Sequence, residues 1–264
     1  MEQLKTLREK TGAGMVDCKK ALDESGGDLD KAVEILRKKG IAKAAKRTDR
    51  EASEGVVMVA VNETQSEGYL LEVNSETDFV SRNDKFQDLA KAILELIKTQ
   101  KPADLDALLA LSLNGASVKD NLDNLSGTIG EKLGIKGFAV LTGATVSSYS
   151  HLGGRIGVLV VLSETGKAEL ATDIAMQVAA SNPKYLSPEE VLAEEIAKEK
   201  EIYREQLLKE GKPEQMIEKI AEGKINKYYS EVCLLKQEFI KDDKKTVENI
   251  LGGAKIEKFI RYSL

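Results

Sequence analysis

The chain has 264 residues, 42% hydrophobic and 31% charged, a balance that supports a buried core and excludes wholesale disorder. A formal net charge of -5 gives it no bulk attraction for a phosphate backbone, so nucleic acid is not an expected partner. No apolar run approaches the roughly 18 residues of a bilayer span and no signal-like start precedes the first helix, so a cytoplasmic protein with no membrane partner is expected.

Residues 4–46 read as short helices. Leu4 and Leu7, then Met15, Cys18 and Leu22, then Leu29, Val33 and Leu36 recur at three- to four-residue intervals. Thr11-Gly12-Ala13-Gly14 separates the first two helices and Gly26-Gly27-Asp28 the next two, with Asp28 as N-cap. The stretch IAKAAKRTDREASEG that follows is locally basic through Lys43, Lys46, Arg47 and Arg50 and reads as a helical linker or an exposed tether, in the plainest case a solvated connector.

Two β-branched runs, 56–61 and 69–73, predict a hairpin, and Phe86, Leu89, Ala90, Ile93, Leu94 and Ile97 share one face of a helix after it. A similar unit comes later. Residues 138–141 and 156–162 are strand-like, a polar stretch with Ser147, Ser148, Tyr149 and His151 lies between them, and a helix passes through Leu170, Ile174, Met176 and Val178. Ser-Glu-Thr follows the second strand of each unit, at Ser75-Glu76-Thr77 and Ser163-Glu164-Thr165, which points to one unit used twice.

From 188 to 239 the composition shifts to Glu, Lys, Leu and Ile. Leu192, Ile196, Tyr203 and Leu207 precede Gly211-Lys212-Pro213, and Ile217, Ile220, Tyr228 and Val232 follow it, the pattern of two antiparallel helices projecting from the body. Residues 255–262 supply a last strand. The expected class is α+β: a helical module and linker at 1–50, core subdomains at 51–136 and 137–264, and a helical hairpin inserted at about 188–232.

Catalytic patterns are sparse. There is no GxxxxGK[ST] loop, and Gly12-Ala13-Gly14 lacks the third glycine and preceding strand of a dinucleotide site, so no bound nucleotide or other cofactor is expected. Cys18 and Cys233 have no metal-ligand spacing and read as reduced thiols; His151 is the single histidine. Thr77-Asp78-Phe79-Val80 differs in kind, setting a carboxylate beside a large ring at a strand-to-helix junction. A purely structural reading has Thr77 or Asp78 capping the helix while Phe79 packs inside. The second unit has Gly166-Lys167 in place of Asp-Phe, so turning alone does not require that pair.

EVNSETDFVSR at 72–82 resembles one signature of the elongation factor Ts family, and LREKTGAGMVDCKKAL at 7–22 resembles the other. SYSHLGGRIGVLV at 148–160 is similar to a third family segment. The resemblance implies a ubiquitin-associated-like N-terminal module, two related core subdomains and a coiled-coil hairpin. It further implies a guanine-nucleotide exchange factor that binds elongation factor Tu, GDP-bound and nucleotide-free, and makes or breaks no substrate bond.

By the same resemblance, Thr77, Asp78, Phe79 and Val80 form the segment that disturbs the magnesium site of the partner, with Phe79 a wedge and Asp78 acting on the hydrogen bonds around the ion. Arg8, Met15 and Val16 correspond to contacts with the GTPase domain, and Ile129, Gly130 and His151, assigned to the second core half, to contacts with the third domain. Many members continue with a further helix after the last strand; this sequence stops at Leu264. Competing readings are a scaffold without exchange activity, a Cys–His enzyme using Cys18 or Cys233 with His151, and RNA binding through the basic connector.

Overall fold

The computed structural model describes residues 2–45, 47 and 49–264. It opens with three helices, α1 (Glu2–Thr11), α2 (Met15–Glu24) and α3 (Leu29–Ala45), whose apolar stripes close on Leu7, Cys18, Ala21 and Ala32. Asp28 caps α3: its Oδ1 accepts from the N–H groups of Asp30 and Lys31, each at 3.1 Å. The connector begins as the helical form expected of it and departs from the solvated one. α3 continues through Ala45, Arg47 donates to the Ser126 carbonyl at 3.2 Å, and Arg50 pairs with Glu76 at 3.2 Å, so the stretch is tied to the body. Lys46, counted in that basic run, lies outside the described residues.

β1 (Glu54–Val61) and β2 (Glu67–Ser75) form the expected hairpin, and after the short α4 (Asp78–Ser81) comes the amphipathic α5 (Asp84–Gln100). Phe86, Ala90, Ile93 and Ile97 of α5 are buried against Tyr69, Leu71 and Val73 of β2. Each such large side chain contributes on the order of 1.5–3 kcal/mol through burial. The chain then makes α6 (Leu105–Ala110), a small ribbon of β3 (Ser112–Leu113) and β4 (Ala116–Ser117), and α7 (Val118–Ile129). α7 starts at a capping box between Ser117 and Asp120, and packs Val118 and Leu122 into the same core.

β5 (Leu133–Thr142) pairs antiparallel with β2, giving a sheet of order β1-β2-β5, and it runs through the expected division at residue 136. β6 (Thr145–His151) and β7 (Ile156–Leu162) form the second hairpin, followed by α8 (Ala168–Ser181). This corrects the expected pairing of 138–141 with 156–162. The polar stretch between them is itself a strand, at the edge of its sheet, where polar residues are tolerated; Ser147 shares a hydrogen bond of 2.6 Å with Thr172 of α8.

Next come α9 (Ala193–Lys209) and α10 (Glu214–Val232), packed against each other through Leu207, Ile217 and Ala221. β8 (Glu238–Phe239), β9 (Asp242–Thr246) and α11 (Val247–Ile250) lead to β10 (Ile256–Ser263), which joins β7. In both sheets a third strand, arriving after intervening helices, pairs with the second strand of a hairpin.

Alternation along the central strands explains how the sheets stack. Leu71 and Val73 face α5, whereas Leu70 faces Leu159 and Val161 of β7, and Val158, Val160 and Leu162 face α8. The order is therefore helix, sheet, sheet, helix, and β2 and β7 are buried on both faces. Among the described residues no helix is long and apolar enough to cross a membrane.

The base of the α9–α10 pair is held by Glu195, which accepts from Lys184 Nζ at 2.8 Å, Tyr185 OH at 2.6 Å and Tyr228 OH. The hydrogen bond from Lys184, then those from the two tyrosines, draw the Glu195 carboxyl down to about 2 from its ordinary 4.5. A carboxyl depressed on folding stabilises fully above its unfolded value, and that contribution fades as pH falls through the folded one. Amide protection at the base of α9 and α10 should therefore weaken between about pH 4.5 and 2, and Glu195→Gln should remove most of that dependence.

Candidate functional site

The ends of the strands assemble the region of interest. Glu54 at the start of β1 pairs with Ser75 at the end of β2, and Ser75 pairs with Leu133 at the start of β5. At this same end Val57 N–H donates to the Gly154 carbonyl of the β6–β7 turn at 2.7 Å. The β2–α4 junction, the α7–β5 junction and the β6–β7 turn thus meet at one end of the stacked sheets.

Phe79 projects there with 84% of its surface exposed, which removes the reading in which it packs inside. Capping does not explain the segment either. Thr77 occupies the N-cap position of α4, but its side chain makes no cap bond. Instead its hydroxyl donates to Glu131 Oε1 at 2.7 Å and its backbone N–H to Glu131 Oε2 at 3.0 Å. Val80 is buried in the first core, so of the four expected contact residues it is an inward anchor. Asp78 and Phe79 are left facing out between the two fixed points.

Asp78 pairs with Arg82 at 3.0 Å on an exposed surface. Nearby, Arg155 Nη1 donates to Glu54 Oε2 at 2.7 Å. That hydrogen bond holds the Glu54 carboxyl below its usual range, and reciprocally Glu54 raises Arg155, with a smaller contribution from the Asp78 charge. Two carboxylates and two guanidinium groups therefore lie on the same end of the fold as the exposed ring, two of them on its own short helix and the residue that caps it. A large apolar side chain set in charged surroundings is the composition of a recognition anchor.

His151 ends β6, exposed, with its Nδ1 3.0 Å from Tyr149 OH. Leu152 follows at 66% exposure and φ 51°, a left-handed conformation unusual for leucine, in a tight turn closed by hydrogen bonds to the His151 carbonyl. Gly130 is the C-cap of α7 at φ 94°, while Ile129 packs partly into the first core. Ile129 and Gly130 thus lie with the first sheet, a correction to their assignment to the second core half; the β2–β5 pairing, unseen in the sequence, puts them beside Thr77.

Arg8 and Met15 line one shallow pocket on the outside of the helical module. Met15 and Val16 are 46% and 66% exposed, because the module closes on Leu7, Cys18, Ala21 and Ala32 instead. Gly14, just before them, shares a cleft with Gly127 and Thr128 near the end of α7. The sequence reading missed Leu152, Glu131, Arg82 and Arg155. An apolar residue beside two glycines was the visible signal for Leu152; for the charged residues there was none.

Both cysteines are buried. Burial pushes the Cys233 thiol up to about 11, which disfavours the thiolate a nucleophile needs. Cys18 Sγ is 3.5 Å from the Ala13 carbonyl, inside the helical module. Among the described residues no three metal-binding side chains cluster. The sequence model of the family described as Elongation factor TS matches residues 76–264, more than two thirds of the chain, beginning one residue before Thr77.

Proposed function

The chain belongs to the elongation factor Ts family, a family of translation elongation factors, and from that premise we propose that it binds elongation factor Tu and promotes release of GDP through Asp78 and Phe79. The observation that carries this reading is an aromatic ring 84% exposed on a short helix that is anchored on both sides. Water-exposed phenylalanine gains free energy when a partner covers it, and a backbone anchored on both sides of the ring reduces the conformational entropy lost on docking.

Phe79 enters the GTPase domain as a wedge, and the Asp78 carboxylate meets the water and hydrogen bonds around the magnesium ion of the partner. Magnesium demands near-octahedral oxygen coordination and bridges protein to phosphate, so a small displacement of its surroundings loosens GDP. Linkage makes this reciprocal: a factor that favours the loosened state weakens GDP by the same ratio as GDP weakens the factor. No bond of a substrate is made or broken.

His151, Leu152 and Gly130 extend the contact around the wedge, and Arg8, Met15 and Val16 supply a second contact from α1 and α2. We read α1–α3 as the ubiquitin-associated-like module and α9–α10 as the coiled-coil hairpin of the family. His151→Ala should weaken complex formation by about three- to tenfold, as for a contact outside the central anchor. The maximal rate of GDP release should be unchanged; a fall in that rate at unchanged affinity would assign His151 to the wedge. The whole proposal is tested by mixing the protein with elongation factor Tu carrying fluorescent GDP. Release must accelerate with added protein, and an unchanged rate overturns the reading.

A further inference from the structure

We propose that Glu131 is the positioning residue of the Asp78–Phe79 wedge, a role that rests on the exchange reading above. α4 has four residues, too few for a helix to hold itself, and it has no side-chain cap. Its direction must be set from outside. One anchor is Val80, buried in the first core. Ser75 Oγ donates to the Thr77 carbonyl at 3.0 Å and Gln87 Nε2 to the Ser81 carbonyl at 2.6 Å. The long-range anchor of Thr77, on the N-terminal side, is the Glu131 carboxylate, whose two oxygens take the Thr77 hydroxyl at 2.7 Å and the Thr77 N–H at 3.0 Å across 54 residues of sequence.

Glu131 is itself well fixed. α7 ends at Gly130 in a left-handed conformation, which turns the chain back toward β2. The buried Ser126 hydroxyl then donates to the Glu131 carbonyl at 2.5 Å. One residue on, the relation is reversed, because Lys132 N–H donates to the Glu76 carboxylate at 2.6 Å. Beyond the last β2–β5 pair, Ser75 with Leu133, two carboxylates thus replace the ladder bonds that the separating strands no longer make.

The second unit provides the comparison. After its Ser163-Glu164-Thr165 the chain turns through Gly166 at φ 73°, and the hydrogen bond there runs from the Thr145 hydroxyl to the Glu164 carbonyl. The same tripeptide turns without a carboxylate on its threonine. The Glu131 clamp therefore belongs to the unit that carries Asp-Phe.

Glu131→Ala should lower the maximal rate of GDP release from elongation factor Tu about tenfold, because the wedge is competent for only part of the time. The half-saturating concentration should stay within about threefold. Glu131→Gln should recover most of the rate: its amide oxygen accepts from Thr77 N–H while its amide nitrogen donates to the Thr77 hydroxyl oxygen. Thr77→Val, which gives up the hydroxyl contact alone, should fall between wild type and Glu131→Ala.

Amide exchange at Thr77, Ser81 and Arg82, whose N–H groups donate to Glu131, the Thr77 carbonyl and the Asp78 carbonyl, gives a second readout in the free protein, which should accelerate in Glu131→Ala and not in Glu131→Gln. A wild-type maximal rate in Glu131→Ala overturns the proposal, as does a Glu131→Gln variant as impaired as Glu131→Ala. Unchanged amide exchange in Glu131→Ala overturns it even if the wild-type protein releases no GDP, an outcome that would sink the exchange reading by itself.

Discussion

Phe79→Ala should reduce the maximal rate of GDP release from elongation factor Tu by about a hundredfold, roughly 2.7 kcal/mol of lost barrier lowering, while the complex still forms. The split follows from where the residue stands. Its ring is 84% exposed and supports nothing within the fold, so truncation leaves the folded state intact. The remaining contacts proposed above, through His151, Leu152, Gly130 and the helical module, would not depend on it, so affinity should change by no more than about tenfold. Asp78→Ala should act in the same direction. It also releases Arg82 from an exposed ion pair, a contact expected to be worth about 0–1 kcal/mol, so any large effect must arise on the partner. The measurement is a titration of GDP release against protein concentration, separating the plateau from the midpoint. Equal losses in both would make the pair an anchor for binding and not the element that loosens GDP.

That separation could not be read from the sequence by pattern alone, and the reasons are physical. The α5 face and the β1–β2 hairpin were legible because burial imposes a period of 3.6 or 2 on the chain. β6 was not, because an edge strand with polar residues looks like a loop until its neighbour is known. Nor was the placement of β5, whose apolar run suits either sheet; joining β2 is a long-range choice, and Lys136 is accommodated there as an extra residue where the β2–β5 register shifts. Asp78 and Phe79 stood out through comparison of the two units, and their exposure decided between core packing and presentation. Glu131 and Arg155 are charged residues in no periodic setting. Their importance comes from what the fold brings opposite them, Thr77 in one case and Glu54 in the other.

Gly127→Val should separate the second half of the contact from the first. Gly127 lies on α7 where α3 crosses it at Gly40, and a Cβ added there would come within 2.5 Å of the Gly40 Cα and 2.9 Å of its carbonyl oxygen. Backbone cannot step aside as a flexible side chain can, so the helices must part. The Arg47 and Arg50 contacts keep the end of the connector on the body, but between the helices themselves little opposes the parting. The Arg37–Asp120 pair at 3.0 Å is well exposed, and a cleft of about 230 Å³ already opens beside the contact. α7 itself should not suffer, because valine is a slightly better helix residue than glycine. The main body should therefore keep its stability while α1–α3 lose their seat. Arg8, Met15 and Val16 would then reach elongation factor Tu from a tether, and the gain from presenting two linked contacts in fixed geometry would fall. The expected result is a midpoint for GDP release raised by about tenfold or more with the plateau within about twofold of wild type, the converse of Phe79→Ala. A lowered plateau at an unchanged midpoint would mean that the helical module acts on the nucleotide site directly.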